Sequence, residues 1–386
     1  MWGAGRKKTL RFFEEPTPIT IMTHLHLIAG ARPNFMKIAP LIREIQKHPE
    51  QISYSLIHTG QHYDSAMSDV FFKELGIPDP DEHLDCGGGS HGEQTAKIMV
   101  AYENLALKDR PDFVVVVGDV NSTLACSIVA KKLNIKVVHI EAGLRSGDRE
   151  MPEEINRLVT DAISDLYFVT EEAGRNHLLR EGQSEDIIHY VGHVMVDNLF
   201  FQVAKLEKGD ELVPISSDYK SKHEKYGVIT LHRPSNVDEP ETFQDLAEAL
   251  KKISKDLPLV FPVHPRTRQK MEEFGIDLGE RVTLLDPQGY MEFLNLWKDA
   301  VVVLTDSGGL QEETTALGIP CLTLRENTER PVTVSEGTNQ LMGVDVVKIL
   351  SAASKIIEGT TKIGKCPKFW DGKASERIVA AILASL

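Results

Sequence analysis

The chain has 386 residues, which at about 150 residues per domain predicts two or three domains. Its 41% hydrophobic and 26% charged residues are typical of globular proteins and exclude extended disorder. The formal net charge of −14 argues against nucleic acid or an anionic membrane surface as the main partner. No apolar stretch reaches about 18 residues, so no membrane-spanning helix is predicted. The four cysteines lie far apart without paired spacing, so we expect reduced thiols, no zinc cluster and a cytoplasmic protein.

Strand-like and helix-like segments alternate after a charged N-terminal stretch. Residues 1–21 have no apolar run of signal-peptide length, so we expect a disordered arm or an extension. A first series of β-branched runs predicts strands at 24–29, 52–58, 113–118, 136–140, 166–169 and 187–191. A second series predicts strands at 227–232, 259–264, 282–285, 300–305 and 320–324. Helical patterns lie between the strands, and the polar segment 207–224 is expected to connect the two halves.

This alternation predicts an α/β fold with two doubly wound, Rossmann-like domains that face each other across a cleft. We assign residues 22–200 to the N-terminal domain and residues 201–374 to the C-terminal domain. Ligands of such sheets bind at the carboxyl ends of the strands. The motifs that directly follow predicted strands are therefore the candidates for chemistry.

Two charged motifs follow the first and third predicted strands. Arg32 and Lys37 lie near the start of a helix, where they either contact a phosphate or sugar or remain in solvent. Asp119 follows the most apolar strand, Phe113-Val-Val-Val-Val-Gly118. It either caps the next helix or places a carboxylate in the cleft.

A carboxylate at position 141 ends another β-branched strand. Burying Glu141 is costly unless it is paired, and Arg145 and Arg157 are the candidate partners. Glu153 and Arg157 are four residues apart on a predicted helix, so they form either an ordinary surface pair or part of the cleft.

The second half has two motifs of the same kind. His232 and Arg233 end its first strand, where they either grip a diphosphate or form ordinary polar contacts. A Ser-Gly-Gly turn begins at Ser307, follows a buried strand and opens a helix. Such a turn either serves only the chain reversal or lets backbone N–H groups approach a phosphate. Glu313, further along that helix, could accept hydrogen bonds from ribose hydroxyls.

The motifs together resemble the non-hydrolysing UDP-N-acetylglucosamine 2-epimerases. From about residue 24 to residue 331 they read Gly-Ala-Arg-Pro-x-x-x-Lys, Gly-Asp, His-Ile-Glu-Ala-Gly-Leu-Arg, Pro-Glu-Glu-Ile-Asn-Arg, Leu-His-Arg and Asp-Ser-Gly-Gly-Leu-Gln-Glu-Glu. The resemblance implies a glycosyltransferase-B type of fold, with the last helix, 375–386, crossing back to the first domain. It also implies a homodimer that reversibly converts UDP-N-acetylglucosamine to UDP-N-acetylmannosamine for surface polysaccharides.

The resemblance further implies a reaction and the residues that carry it. UDP would leave by elimination across C1–C2 and add back after protonation on the opposite face, with no metal and no cofactor. Acid–base groups contribute about 10²–10⁴-fold to such steps, and Asp119, Glu141 and Glu153 resemble these groups. His232 is expected at the diphosphate or sugar and is counted with the catalytic residues. The expected substrate-binding residues are Arg32, Lys37, Arg157, Tyr290, Phe293, Ser307, Gly308, Gly309 and Glu313.

Within that expectation, Ser307 and Gly308 form the diphosphate cradle, Glu313 binds the ribose, and Tyr290 and Phe293 belong to the uracil pocket. A convergence of Arg32, Lys37, Arg145, His232 and Arg233 would let a protein of net charge −14 hold an anionic UDP-sugar.

Four other functions stay open on the sequence. They are a glycosyltransferase of the same fold, a hydrolysing epimerase, an epimerase for a UDP-diacetamido uronic acid, and a catalytically silent nucleotide-binding regulator. The three carboxylates argue against the first and the last, and the Arg-Pro dipeptide at position 32 favours the non-hydrolysing type.

The sequence departs from the family pattern in three places. The loop between Asp148 and Met151 is shorter than in many bacterial members. His193 stands where the family usually has asparagine. The segment Gln61-His62-Tyr63-Asp64 replaces a Gln-His-Arg motif at which, in many bacterial members, a second substrate molecule binds and activates the enzyme. Tyrosine cannot replace the bidentate arginine cation, and Asp64 would repel an anion. We therefore predict weak or no activation by UDP-N-acetylglucosamine.

Overall fold

A computed structural model describes residues 22–60, 72, 75–361 and 364–385. The segment 1–21, expected to be an arm or extension, lies outside the described residues. The segment 61–64, on which the prediction about activation depends, also lies outside them.

The first half contains a parallel sheet with strand order β3-β2-β1-β4-β5-β6-β7. Its strands are β1 (Thr23–Ala29), β2 (Ile52–His58), β3 (Glu82–His83), β4 (Phe113–Val117), β5 (Lys136–Ile140), β6 (Leu166–Val169) and β7 (Ile188–Tyr190). The helices that connect them are α1 (Arg32–Ile45), α2 (His91–Lys108), α3 (Asn121–Lys132), α4 (Pro152–Ile163) and α5 (Glu172–Arg180). The order reverses between β1 and β4, and this switch point is where doubly wound sheets bind ligands.

The central strands of this sheet are buried on both faces. Every residue of β4 is buried, which is why the strand reads as an unbroken apolar run. Its Val115 and Val117 pack in one core cluster and its Val114 and Val116 in another, so the sheet separates two helix-covered layers.

One long helix leads out of the first half. Helix α6 (Val194–Lys208) begins after β7 and contacts α1. The expected domain boundary at 200/201 falls inside this helix. The polar segment 207–224, predicted as a connection, contains a further helix, α7 (Pro214–Lys222). That prediction missed the helix because its residues are mostly polar and only Ser216 and Tyr219 are buried.

The second half contains a parallel sheet with strand order β10-β9-β8-β11-β12-β13. Its strands are β8 (Gly227–Thr230), β9 (Leu259–Pro262), β10 (Val282–Leu285), β11 (Val302–Thr305), β12 (Cys321–Thr323) and β13 (Asn339–Leu341). Its helices are α8 (Pro234–Val237), α9 (Pro240–Ser254), α10 (Pro265–Phe274), α11 (Tyr290–Trp297), α12 (Gly308–Leu317), α13 (Pro331–Ser335) and α14 (Val346–Ile357). The α/β class and the two doubly wound sheets predicted from the sequence are confirmed.

The last helix, α15 (Ala374–Ala384), packs on α1 and α6. Its Ile378, Val379 and Ile382 are buried in the core cluster of the first half. Asp197 of α6 accepts hydrogen bonds from the first two backbone N–H groups of α15, at 3.0 and 2.7 Å. Among the described residues, no helix has the length and apolar composition needed to cross a membrane.

Candidate active site

Glu141 directly follows β5 and lies at the carboxyl edge of the first sheet. Its side chain is buried, and its backbone φ of 66° is in the left-handed region that residues other than glycine rarely adopt. Strained residues of this kind cluster at functional sites. One oxygen, Oε2, lies 2.5 Å from Nζ of Lys37 in α1. The other, Oε1, has no hydrogen-bond partner among the described residues.

Charge compensates for the burial of Glu141. Burial alone would raise the pKa of this carboxyl, but the Lys37 ammonium, with smaller contributions from His193 and Arg330, holds the pKa below its usual value. Glu141 is therefore an ionised carboxylate in a site from which solvent is largely excluded.

The hypothesis that Arg145 pairs with Glu141 or joins a cation cluster in the cleft is wrong. Arg145 contacts Asp161 at 2.7 Å and Glu181 at 2.5 Å. Asp161 also lies 2.6 Å from Nδ1 of the buried His139, whose Nε2 is 2.9 Å from the Gly118 carbonyl oxygen. Arg145 thus stabilises the loop after β5 that carries Glu141, and Lys37 supplies the cation.

Asp119 and Arg157 come together at the end of β4. Arg157 Nη1 donates to Asp119 Oδ2, and its Nη2 lies 2.8 Å from Oε2 of Glu154. The suggested coupling of Arg157 to Glu153 is therefore wrong, because its carboxylate partners are Asp119 and the buried Glu154. Glu153, at the start of α4, is half-buried, and no side-chain hydrogen bond or ion pair of Glu153 is found among the described residues.

A buried charge chain links the two halves. His193, the residue before α6, donates from Nε2 to Oε1 of Glu312 in α12 at 2.8 Å, and its Nδ1 lies 3.9 Å from Oε1 of Glu141. Arg330 Nε pairs with the same Glu312 oxygen. Burial alone would raise the pKa of Glu312, but Arg330 and His193 lower it to about 2.

The Arg330 guanidinium pairs with Glu312 and interacts electrostatically with carboxylates of the first half. Burial alone would lower its pKa, but Glu312, Glu141, Glu171 and Asp119 raise it above the usual value. Asp119, which follows β4, and Glu141, which follows β5, thus interact electrostatically with Arg330 of the second half.

In the second half, the buried Asp306 organises the loop after β8. One oxygen accepts from the backbone N–H groups of His232 and Arg233, each at 2.9 Å. The other oxygen lies 3.0 Å from Nδ1 of His232, whose side chain is 48% exposed. Asp306 therefore holds the His232 imidazole through Nδ1, and Nε2 of His232 takes no part in this contact.

The backbone at the N-terminus of α12 has open space beside it. Ser307 precedes the helix, and added Cβ atoms at Gly308 and Gly309 would meet no protein atom closer than 3.8 Å. The backbone there is consequently open to a ligand, and the helix dipole favours a negative charge. A cavity of about 360 Å³ lies beside the loops after β8 and β12, and its lining includes Arg233, Arg325 and Glu326.

The buried Glu313 and the partly buried Tyr290 form a separate pair. The Tyr290 hydroxyl donates to Oε1 of Glu313 at 3.1 Å. Burial raises the pKa of Glu313 to about 7. Phe293, one turn further along α11, is partly buried and packs against the same core cluster as Tyr290. Both aromatic residues lie beside the helix that carries the Ser-Gly-Gly turn.

Arg32 is exposed at the first position of α1. The turn before it is fixed by Asn34, whose Oδ1 accepts from the backbone N–H groups of Gly30 and Ala31 at 3.2 and 2.9 Å. Its Nδ2 donates to the carbonyl of Val117, so the loops after β1 and β4 are locked together. Lys37 thereby reaches Glu141 from the next turn of the helix.

Five contributors were missed by reasoning from the sequence: Asn34, Glu154, Asp306, Glu312 and Arg330. Glu154, Asp306 and Glu312 each lie within the quoted motifs, next to a predicted residue. Asp306 directly follows β11, and this position at a strand end was a usable signal. Glu154 and Glu312 lie within helices. His193 had been noticed only as a departure from the family pattern.

Comparison with known proteins shows the family of the chain. The family model for UDP-N-acetylglucosamine 2-epimerase matches residues 43–383. A UDP-N-acetylglucosamine 2-epimerase of Methanococcus maripaludis is 42% identical over 364 residues, which are 93% of this chain and 98% of that protein. The UDP-2,3-diacetamido-2,3-dideoxy-D-glucuronate 2-epimerase of Pseudomonas aeruginosa is 39% identical over 93% of this chain and 99% of its own length.

A solved structure extends the similarity to the fold. The crystal structure of the Methanocaldococcus jannaschii UDP-GlcNAc 2-epimerase in complex with UDP-GlcNAc and UDP is 42% identical, with a TM-score of 0.77 over 94% of this chain and 100% of that chain. The two facing sheets and this neighbour define a two-domain protein of the glycosyltransferase-B type. The chain belongs to the UDP-N-acetylglucosamine 2-epimerase family, as the resemblance of its motifs predicted.

Proposed function

We propose that the chain catalyses the reversible epimerisation of UDP-N-acetylglucosamine at C2. The observation that carries the proposal is Glu141, a buried carboxylate kept ionised by Lys37, with one oxygen that lacks a hydrogen-bond partner among the described residues. Such a group is suited to moving a proton in a water-poor site. The name of the M. maripaludis relative and the ligands of the M. jannaschii complex support the choice of substrate.

The UDP group would bind to the second half. Its diphosphate would lie over the N-terminus of α12 at Gly308 and Gly309, with Ser307 and the His232 imidazole alongside. Glu313 would accept or donate a hydrogen bond at the ribose, and Tyr290 and Phe293 would flank the base. Each of these contacts lies at the carboxyl edge of the second sheet.

The sugar would lie against the carboxyl edge of the first sheet, beside Asp119, Glu141 and Glu153. A base would take the C2 proton, the C2–H electron pair would form the C1=C2 double bond, and UDP would leave with the electrons of the C1–O bond. Return of a proton to the opposite face of C2 and re-addition of UDP at C1 would complete the reaction. The helix dipole and His232 would stabilise the negative charge of the departing diphosphate.

The cations near the sugar would set the roles of the carboxylates. Lys37 favours the ionised form of Glu141, so this residue would begin as a base. Arg157 holds Asp119 by a charge-assisted hydrogen bond, which would fix its orientation toward the sugar. Arg32, at the start of α1, would contact the diphosphate from the first half.

We further propose a cytoplasmic homodimer that supplies a precursor of surface polysaccharides. Four unpaired cysteines support a reducing compartment. A second candidate substrate is a UDP-diacetamido uronic acid, which the 39% identical P. aeruginosa relative favours by its name. The two substrates differ at C3 and C6, whereas the chemistry at C2 is the same.

The test is product identification by NMR with the purified full chain and each UDP-sugar in turn, without added metal or nucleotide. We expect UDP-N-acetylmannosamine from UDP-N-acetylglucosamine, at a turnover well above that with the uronate. The Glu141→Gln variant, purified in the same way, controls for a contaminating epimerase. Conversion of the uronate alone would transfer the proposal to the second substrate, and conversion of neither would refute it.

A further inference from the structure

A second cluster of polar side chains lies at the opposite edge of the first sheet from the cleft. His24 and His26 alternate on β1 near its amino end and point to the same face, where Asp109 reaches them from the end of α2. Asp109 Oδ2 lies 3.4 Å from Nε2 of His24 and 3.2 Å from Nε2 of His26. Among the described residues, this is the one group of three such side chains whose ligand atoms lie within 4.8 Å of one another.

The two distances from Asp109 Oδ2 to the histidine Nε2 atoms match the edges of a metal coordination polyhedron. Zinc bonds of about 2.0–2.1 Å in a tetrahedron place neighbouring ligand atoms about 3.3–3.4 Å apart. Ser55 Oγ, on the neighbouring strand, is 3.4 Å from Nε2 of His24 and 3.3 Å from Oδ2 of Asp109. It marks a fourth position that a hydroxyl or a water molecule would fill.

The other ring nitrogens are held as they are in metal sites. Nδ1 of His24 lies 2.9 Å from the Ser53 hydroxyl, and Nδ1 of His26 lies 3.1 Å from the Tyr102 hydroxyl. With Nδ1 protonated and donating to these hydroxyls, each Nε2 would present its lone pair to an ion, and the hydrogen bonds would fix the ring orientation. Both Nε2 atoms then face Asp109.

Burial and access also suit a bound cation. The His26 side chain is fully buried, whereas the side chains of His24 and Asp109 are 25% and 48% exposed, so an ion has a route from solvent.

We propose that His24, His26 and Asp109 form a structural binding site for a divalent transition-metal ion of the imidazole- and carboxylate-binding class, with Zn²⁺ as its representative. The ion would join β1 to the loop between α2 and β4 at the amino edge of the sheet. Because this edge is remote from the carboxyl-edge cleft, the inference does not rest on the proposed function.

The experiment is a zinc titration of the chelator-treated, dialysed full chain against a chromogenic chelator, with metal content measured by plasma mass spectrometry. The ligand variants are His24→Gln and Asp109→Asn, which change partly exposed side chains and so disturb the core least. Ser53→Ala tests the outer hydrogen bond. His48→Gln is the matched control, because His48 also lies in the first half beside a carboxylate, that of Glu44, but outside the cluster.

We expect the wild type and His48→Gln to bind one zinc per chain at this site, and His24→Gln and Asp109→Asn to lose that equivalent. Ser53→Ala should bind about 10–100-fold more weakly. Zinc should raise the thermal unfolding midpoint of the wild type and the control but not that of the two ligand variants. Absence of specific zinc uptake by the wild type, or full uptake by both ligand variants, would overturn the proposal.

Discussion

Replacing either partner of the Lys37–Glu141 pair should affect stability and chemistry in different ways. The two charged atoms are 2.5 Å apart, and at an effective dielectric constant of about 20 their attraction is about 7 kcal/mol. Desolvation offsets much of this energy, since the two side chains are only 15% and 1% exposed. Removal of one partner from a buried pair typically costs about 3–5 kcal/mol.

For Glu141→Gln we expect a loss of about 3 kcal/mol of unfolding free energy, because the amide oxygen still accepts from Lys37. Lys37→Met should cost a similar amount because it leaves the carboxylate uncompensated. The double variant should be no less stable than either single variant. The coupling energy of the cycle should therefore be at least about 3 kcal/mol.

Glu141→Gln and Lys37→Met should also differ in the pH dependence of their turnover. Glu141→Gln should lose at least about 100-fold in kcat at every pH, since the acid–base group is gone. Lys37→Met keeps the carboxylate but removes the charge that lowers its pKa. Its activity should be low near neutrality and rise again as the pH increases.

The matched control is Glu44→Gln in the same helix, whose carboxylate lies 2.6 Å from the exposed ammonium of Lys47. We expect at most about 1 kcal/mol of destabilisation and unchanged turnover. Denaturant unfolding and initial rates across pH measure both effects. Additive destabilisation in the double variant, or identical pH profiles for Lys37→Met and the wild type, would refute the role of this pair.

Other variants and assays test the remaining parts of the site. Asp119→Asn and Glu153→Gln should each lower turnover about 100-fold or more with little change in UDP affinity. Ser307→Ala should mainly weaken UDP binding, which calorimetry measures. The pKa of Glu313 is raised from 4.5 to about 7, so its stabilisation is complete below pH 4.5 and lost as the pH rises toward 7. Relative to Glu313→Gln, the wild type should lose about 3 kcal/mol of unfolding free energy over that interval. Because Tyr63 replaces an arginine, the reverse reaction from UDP-N-acetylmannosamine should start without a lag and follow a hyperbolic rate curve.

For each of these predictions, one result would refute the assignment of the residue concerned. Near-normal turnover of both amide variants would remove Asp119 and Glu153 from the acid–base step. Equal pH slopes of unfolding for the wild type and Glu313→Gln would show that Glu313 is not protonated near neutrality. A lag abolished by a trace of UDP-N-acetylglucosamine would show that an activator site persists without the arginine.

The sequence was sufficient to predict the strands and helices that have a clear local pattern of apolar residues. The apolar run of β4 predicted a buried central strand of a doubly wound sheet. The motifs at strand ends predicted the edge of the sheet at which polar groups gather. By contrast, β3 has two exposed polar residues and β13 only three residues, so neither carries a strand-like pattern. Tertiary pairing alone makes them strands.

The side-chain pairs that form across the cleft could not be predicted from local sequence patterns. His193 and Glu312 are 119 residues apart, and their contact depends on how α6 and α12 meet. Arg145 had the right charge and spacing to reach Glu141, but Asp161 and Glu181 hold it on the other side of its loop. Charge and order along the chain identify candidates, whereas the choice of partner is made by packing.

The central claim is that a proton leaves C2 and another returns on the opposite face. The most direct measurement is the reaction of UDP-N-acetylglucosamine in deuterium oxide, with the products followed by NMR and no cofactor added. We expect UDP-N-acetylmannosamine that carries deuterium at C2. Product that retains the original C2 proton, or free N-acetylmannosamine as the main product, would contradict it.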